Sequence, residues 1–151
     1  RINGAVASET VISAATAAHF GVPVIMVSGD DAYIEHAHSV LDADVAIEGV
    51  VTKWASSFTS ARMLLPRVAQ QHIGEGVKAA LSRRHQFKAN PIKGPIQLDV
   101  RCVQRKAVEL LEYLPIVERL DAHTLRFEGK DMVEVSKFLQ FLIASGSLTI
   151  K

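Results

Sequence analysis

The chain has 151 residues, 48% hydrophobic and 22% charged, and 17 Lys and Arg against 16 Asp and Glu leave a formal charge of +1. The apolar content excludes a disordered chain, and the charge balance excludes a protein whose main task is neutralising nucleic-acid phosphates. A single cysteine, Cys102, excludes an internal disulfide framework and a cysteine-built zinc cage, and no apolar run approaches the roughly 20 residues of a bilayer span. The expectation is a soluble, core-forming chain with no nucleic-acid or membrane partner, and one thiol suits a cytoplasmic setting. The sequence opens at Arg1-Ile2-Asn3-Gly4 without an initiator Met and reads as a piece of a longer polypeptide.

From Ser8 to Phe20 the chain is rich in Ala and stops at Gly21, which predicts a helix capped by Ser8, with Glu9 at the favoured end of the dipole. Val22 to Val27 is continuously apolar, the pattern of a strand covered on both faces. A helix over Ala32 to Leu41 follows, with Asp30 as its cap. Asp44 to Thr52 is predicted as a second strand and Trp54 to Leu65 as a helix. Pro66 suits the first position of a further helix reaching about Arg84. This alternation argues for an α/β structure, a mostly parallel sheet flanked by helices.

His85 to Pro95 holds two of the five prolines and is the expected boundary, which divides the chain into residues 1–88 and 89–151. Beyond it, Ile96, Leu98, Val100 and Cys102 alternate with polar residues, as a half-exposed strand requires. Gln104 to Leu114 is a predicted helix stopped by Pro115. Ile116 to Leu120 and Thr124 to Glu128 form a predicted hairpin around Asp121-Ala122-His123. Asp131-Met132-Val133-Glu134 opens a last helix to about Ala144 in the manner of a capping box. The second part is thus a small β-α-β-β-α unit of α+β type.

No self-contained catalytic motif is present: there is no HExxH, no P-loop and no G-x-S-x-G elbow. Glu9 is a carboxylate at a helix start, placed either to bind a cation or to complement the dipole. Asp30 and Asp31 lie at the carboxyl end of the buried strand, where open α/β sheets place their ligands, though capping explains them equally well. Lys53 and Trp54 end the next strand, as pocket border or as solvated and packing side chains. His36 and His38, two apart on one helix, point to different faces and cannot chelate a common ion. His72, His85 and His123 have no partner at ligand spacing. Cys102 falls on the apolar face of its strand and is core rather than nucleophile. Nucleotide binding at the turn from Val27 to Asp31 is disfavoured, because one glycine and two acids would face the phosphate.

One stretch carries a resemblance. Asn3-Gly4, Ser8-Glu9, an Ala-rich helix and then Phe20-Gly21-Val22-Pro23-Val24-Ile25-Met26-Val27-Ser28-Gly29-Asp30-Asp31 resemble the DppA-type D-aminopeptidases, which are zinc metallopeptidases. The likeness continues through Thr52-Lys53, Ser60-Ala61, Leu65-Pro66 and Gly129-Lys130-Asp131-Met132. It spans this chain but only a little more than the second half of the family's. The resemblance implies that Glu9 is one ligand of a two-zinc site. It also implies that the remaining ligands (an Asp-x-Glu pair and two histidines) and a catalytic histidine lie upstream of Arg1. By the same token it implies hydrolysis of N-terminal residues, D-configured ones included, from short peptides, and assembly into a homo-oligomer.

The chain departs from the family's pattern at Ser8, where Gly is usual, at Val11, where Gly is common, at Ser13, where Asn is common, and at Phe58, often Arg. These departures favour an alternative reading, a non-catalytic α/β binding or assembly module. With one ligand, the 151 residues alone are expected to bind zinc no better than a surface carboxylate, to hydrolyse nothing, and to self-associate through uncovered apolar surface.

Overall fold

The computed structural model describes residues 1–42 and 44–145, and these form two compact units, each built around its own sheet. Unit one combines Arg1–Phe20 with the described residues from Asn90 onward, and unit two is Gly21–Ala89. The division near residue 89 falls where the proline-rich stretch places it, but the first 20 residues side with the later part of the chain. The reason is backbone pairing. Ile2 bridges Leu98, the Asn3 N–H donates to Gln97 O at 2.9 Å, and the Asp99 N–H donates to Arg1 O at 2.9 Å. These bonds cross more than 90 residues of sequence and have no local signal.

In unit one, α1 (Glu9–His19) starts at Ser8, whose hydroxyl accepts from the Val11 N–H at 3.4 Å, and ends before Gly21 at φ +73°, a conformation that suits glycine. The antiparallel sheet has β4 (Ile96–Arg101) and β5 (Val117–Arg119) on either side of β6 (Thr124–Gly129). The helices are α4 (Arg105–Leu111) and α5 (Met132–Ala144). Asp131 caps α5 by accepting from the N–H groups of Val133 and Glu134 at 2.9 and 3.0 Å. The predicted β-α-β-β-α order is thus the observed one. Alternation on β4 buries Ile96 and Leu98, and α5 buries Met132, Val135, Phe138 and Leu142 at helical spacing. Phe138 stacks on Phe127 with ring centroids 4.3 Å apart. Cys102 is buried among these core residues, as its alternation predicts. α1 joins them through α5, where the Thr16 and Ser136 hydroxyls lie 3.0 Å apart.

In unit two the sheet order is β1 (Met26–Asp30), β2 (Glu48–Ser57), β3 (Ser60–Met63), with β1 parallel and β3 antiparallel to β2. α2 (Asp31–Leu41) and α3 (Pro66–Ser82) cover opposite faces. A side chain at Gly49 would strike Ile34 and His38 of α2, whereas the next residue, Val50, packs against Gly76 of α3. Pro66 holds the first position of α3, as expected. Two strands are displaced from their predicted places. β1 begins at Met26 rather than Val22, because its partner is the segment from Glu48; Val22 itself is exposed and the strand is half-buried, not covered on both faces. β2 likewise starts at Glu48, not Asp44, and runs on to Ser57.

The largest correction concerns Trp54 to Leu65, which is not a helix but the β2–β3 hairpin. Ala, Met and Leu spaced along this stretch suit a helix, but Ser56, Ser57, Thr59 and Ser60 compete for backbone hydrogen bonds and disfavour one. The Ser57 and Ser60 hydroxyls meet at 2.7 Å across the turn Phe58-Thr59. The Arg62 guanidinium sits 4.6 Å from the Trp54 ring centroid, as their direct cross-strand pairing allows. Among the described residues no helix is long and apolar enough to cross a membrane.

Candidate functional site

The carboxyl ends of β1 and β2 bring together three residues that the sequence singles out. The β1–β2 ladder runs in step to Gly29 opposite Val51 and then skips Thr52, so that Asp30 stands opposite Lys53. The Thr52 hydroxyl turns inward and donates to Gly29 O at 3.1 Å. This bulge re-aims the strand end, as bulges beside functional sites do. Gly29 must stay small, because a Cβ there would lie 2.5 Å from the Tyr33 ring.

Asp30 divides its carboxylate between two tasks. Oδ1 accepts from the Tyr33 N–H at 2.7 Å and caps α2, while Oδ2 faces Lys53 Nζ at 4.0 Å. That separation is long for an ion pair, and side-chain exposures of 30% for Asp30 and 46% for Lys53 leave both charges open to a further partner. Asp31 is exposed, and its Oδ1 accepts from the Ala55 N–H at 3.3 Å, which ties α2 to β2 just past the bulge. Two carboxylates and one ammonium at a strand end can engage both charged ends of a zwitterion. Thr52 and Tyr33, which complete this arrangement, carry no sequence signal of their own; a hydroxyl bonded across a bulge becomes visible only with the register.

Glu9 is the first residue of α1 and is exposed. It belongs to unit one, whereas Asp30, Asp31 and Lys53 belong to unit two. Ser8, the departure beside it, is a working cap; Val11 is half-buried, Ser13 exposed, and Phe58 sits at the exposed tip of the hairpin. Among the described residues no three His, Cys, Asp or Glu side chains gather so as to hold a metal ion. A zinc ion takes about four ligands, so these residues alone do not fit one. The histidines act locally. His38 Nδ1 lies 2.9 Å from Asp42 Oδ2, and His123 Nδ1 lies 3.2 Å from Cys102 O. His36, His72 and His85 are exposed.

A family model described as D-aminopeptidase matches residues 1–141. The chain belongs to the D-aminopeptidase family. A solved structure of similar fold is the Zn-dependent D-aminopeptidase DppA from Bacillus subtilis, described as a self-compartmentalizing protease. It superposes with a TM-score of 0.88 at 21% identity, over 100% of this chain and 54% of that one. At that identity the likeness speaks for the fold, and this D-aminopeptidase chain spans about half the length of the solved relative. No curated protein matches it. The family assignment accords with the resemblance carried by the segment from Asn3 to Asp31, and the mixed α/β architecture accords with the fold expected from the strand and helix pattern.

Proposed function

We propose that this chain is the C-terminal portion of a zinc-dependent aminopeptidase that removes N-terminal residues, D-configured ones included, from short peptides. The observation that carries the reading is the family match over residues 1–141. In this reading Glu9 is one carboxylate of a two-zinc site whose other ligands lie outside this chain. Bound zinc supplies a hydroxide at neutral pH and polarises the scissile carbonyl. The chain's own contribution is positional: the first turn of α1 holds Glu9 where an exposed carboxylate can reach a cation, and Ser8 fixes that turn. Asp30, Asp31 and Lys53 border the substrate pocket, with the carboxylates toward a peptide ammonium and Lys53 toward a carboxylate. The description of the solved relative as self-compartmentalizing supports assembly of the whole protein into a homo-oligomer.

The test is Glu9→Ala in the full-length protein. Bound zinc, measured by atomic emission, and hydrolysis of a D-alanyl peptide should both fall to background while the circular dichroism spectrum is unchanged. Normal zinc content and turnover in that variant would overturn the assignment.

A further inference from the structure

The β2–β3 hairpin and one groove of unit one have complementary chemistry. The hairpin is short, all of β3 is exposed, and its tip presents Phe58 entirely to solvent, with Met63 and Leu65 also exposed at its base. Ser57 and Ser60 pin the turn, so the aromatic ring projects from a fixed support. A large aromatic side chain held in water by a braced turn costs free energy unless something covers it.

Unit one carries a place for such a ring. An open groove of about 320 Å³ lies between the segment before β5 and one face of α5, lined by Leu114, Ile116, Phe127, Phe138 and Phe141, with Glu134 and Lys137 on its rim. Its lining is almost wholly apolar, and Ile116 and Phe141 are themselves exposed. An apolar cavity of roughly 150 Å³ accommodates a benzene ring, so this groove has room for a phenylalanine and its neighbours. Phe127, Phe138 and Phe141 offer ring faces for stacking, the two α5 rings lying 6.3 Å apart. The hairpin and its base, from Lys53 to Arg67, carry three cations and no acid, and the groove rim carries Glu134.

We propose that the hairpin is an assembly arm, and that Phe58 of one copy of this chain inserts into the Leu114–Phe141 groove of a second copy. The inference rests on the self-assembly reading given above and names its contact surface. A knob and a groove on different parts of one chain make a head-to-tail contact, which closes into a ring when the rotation per step permits. Phe58, which stands where Arg is often found in the family, is the anchor of that contact.

The experiment uses the full-length protein. Sedimentation velocity should show an oligomer, and Phe58→Asp should raise the concentration of half-dissociation by about tenfold or more, as expected for a buried aromatic anchor. Phe58→Tyr should retain the oligomer, and Ile116→Asp should dissociate it like Phe58→Asp. Thr59→Cys and Lys137→Cys chains produced together should give a cross-linked dimer with a short bis-maleimide that neither gives alone. An oligomer unchanged by Phe58→Asp, or a Thr59→Cys/Lys137→Cys double variant that cross-links only within one chain, would overturn the arm while leaving self-assembly standing. A monomeric wild-type protein would overturn both. Peptide hydrolysis by the dissociated variants is a separate readout and bears on the peptidase reading alone.

Discussion

Unit one and unit two are of similar size but differ in how they are held together. The connected core (Ile2 and Ala15, then Ile96 through Leu142) lies wholly in unit one. Its largest members, Ile96, Leu125, Met132 and Leu142, are almost completely shielded from water. Unit two buries only Ile34, Ala37, Ile47, Val50 and Ala80 among its described apolar residues, and two of these are alanines. Its sheet relies instead on close backbone approach at Gly49 and Gly76 and on bonds such as Thr52 to Gly29. The difference teaches that scaffold and site are separated along this chain. The unit with the deep core is conventional in its packing, whereas the unit with the bulged strand end and the exposed arm gives up burial to hold them. Low local stability at binding elements is a general pattern, and here it falls on one side of residue 89.

The sharpest way to break the comparison is truncation at each core. Leu142→Ala should cost about 2–5 kcal/mol, because a fully enclosed site cannot collapse onto the space left behind. Ile34→Ala should fall at the low end of that range, since its surroundings are half-open and can relax. Urea titrations followed by far-ultraviolet circular dichroism measure both, and Trp54, the one tryptophan, reports unit two specifically by fluorescence. Equal costs would show that burial is shared more evenly than the shielding of these residues indicates.

Helix caps offer a smaller contrast. Asp131 accepts two backbone N–H groups and Asp30 accepts one. Asp131→Ala should therefore lower the melting temperature roughly twice as far as Asp30→Ala. Thermal denaturation of both variants checks this, and a larger loss at Asp30 would mean that its proximity to Lys53 contributes more than 4.0 Å allows.

The smallest effect is expected with pH. The Asp99 carboxyl is held below its ordinary range chiefly by hydrogen bonds from the Arg126 guanidinium, which meets it at 2.7 and 3.0 Å. Backbone N–H donors likewise lower Asp131 and Glu134. A carboxyl depressed in the folded state stabilises it fully above the unfolded value near 4, and the contribution disappears as pH falls through the lower folded value. Unit one should thus lose stability between about pH 4 and pH 2, and Asp99→Asn should flatten that slope. An unaltered slope in the variant would remove Asp99 from the account.

Much of this architecture is legible in the sequence where a side chain settles its own neighbourhood. Ser8, Asp30 and Asp131 each announce a helix and each is found capping one, and the alternation from Ile96 to Cys102 marks a strand that buries one face. The failures arise where a distant partner decides. Trp54 to Leu65 has helix-compatible spacing, and only pairing to β2 makes it a hairpin. β1 slides four residues because its register belongs to Glu48 onward. The first 20 residues join unit one through bonds to β4 that no local pattern encodes. At the site, the rule that ligands gather at strand carboxyl ends finds Asp30, Asp31 and Lys53, which the bulge does bring together. The inward turn of Thr52 depends on a skipped register position and lies beyond such a rule.

The lone thiol makes the scaffold observable in time. Cys102 is enclosed by unit one, and burial pushes its pKa up, so both access and thiolate are scarce while the core is closed. A thiol reagent in excess then reacts only in moments when that core opens. The labelling rate becomes a clock for unit one, running beside the fluorescence of Trp54, which keeps time for unit two. Neither probe has to be introduced, because the chain carries one of each, on opposite sides of residue 89.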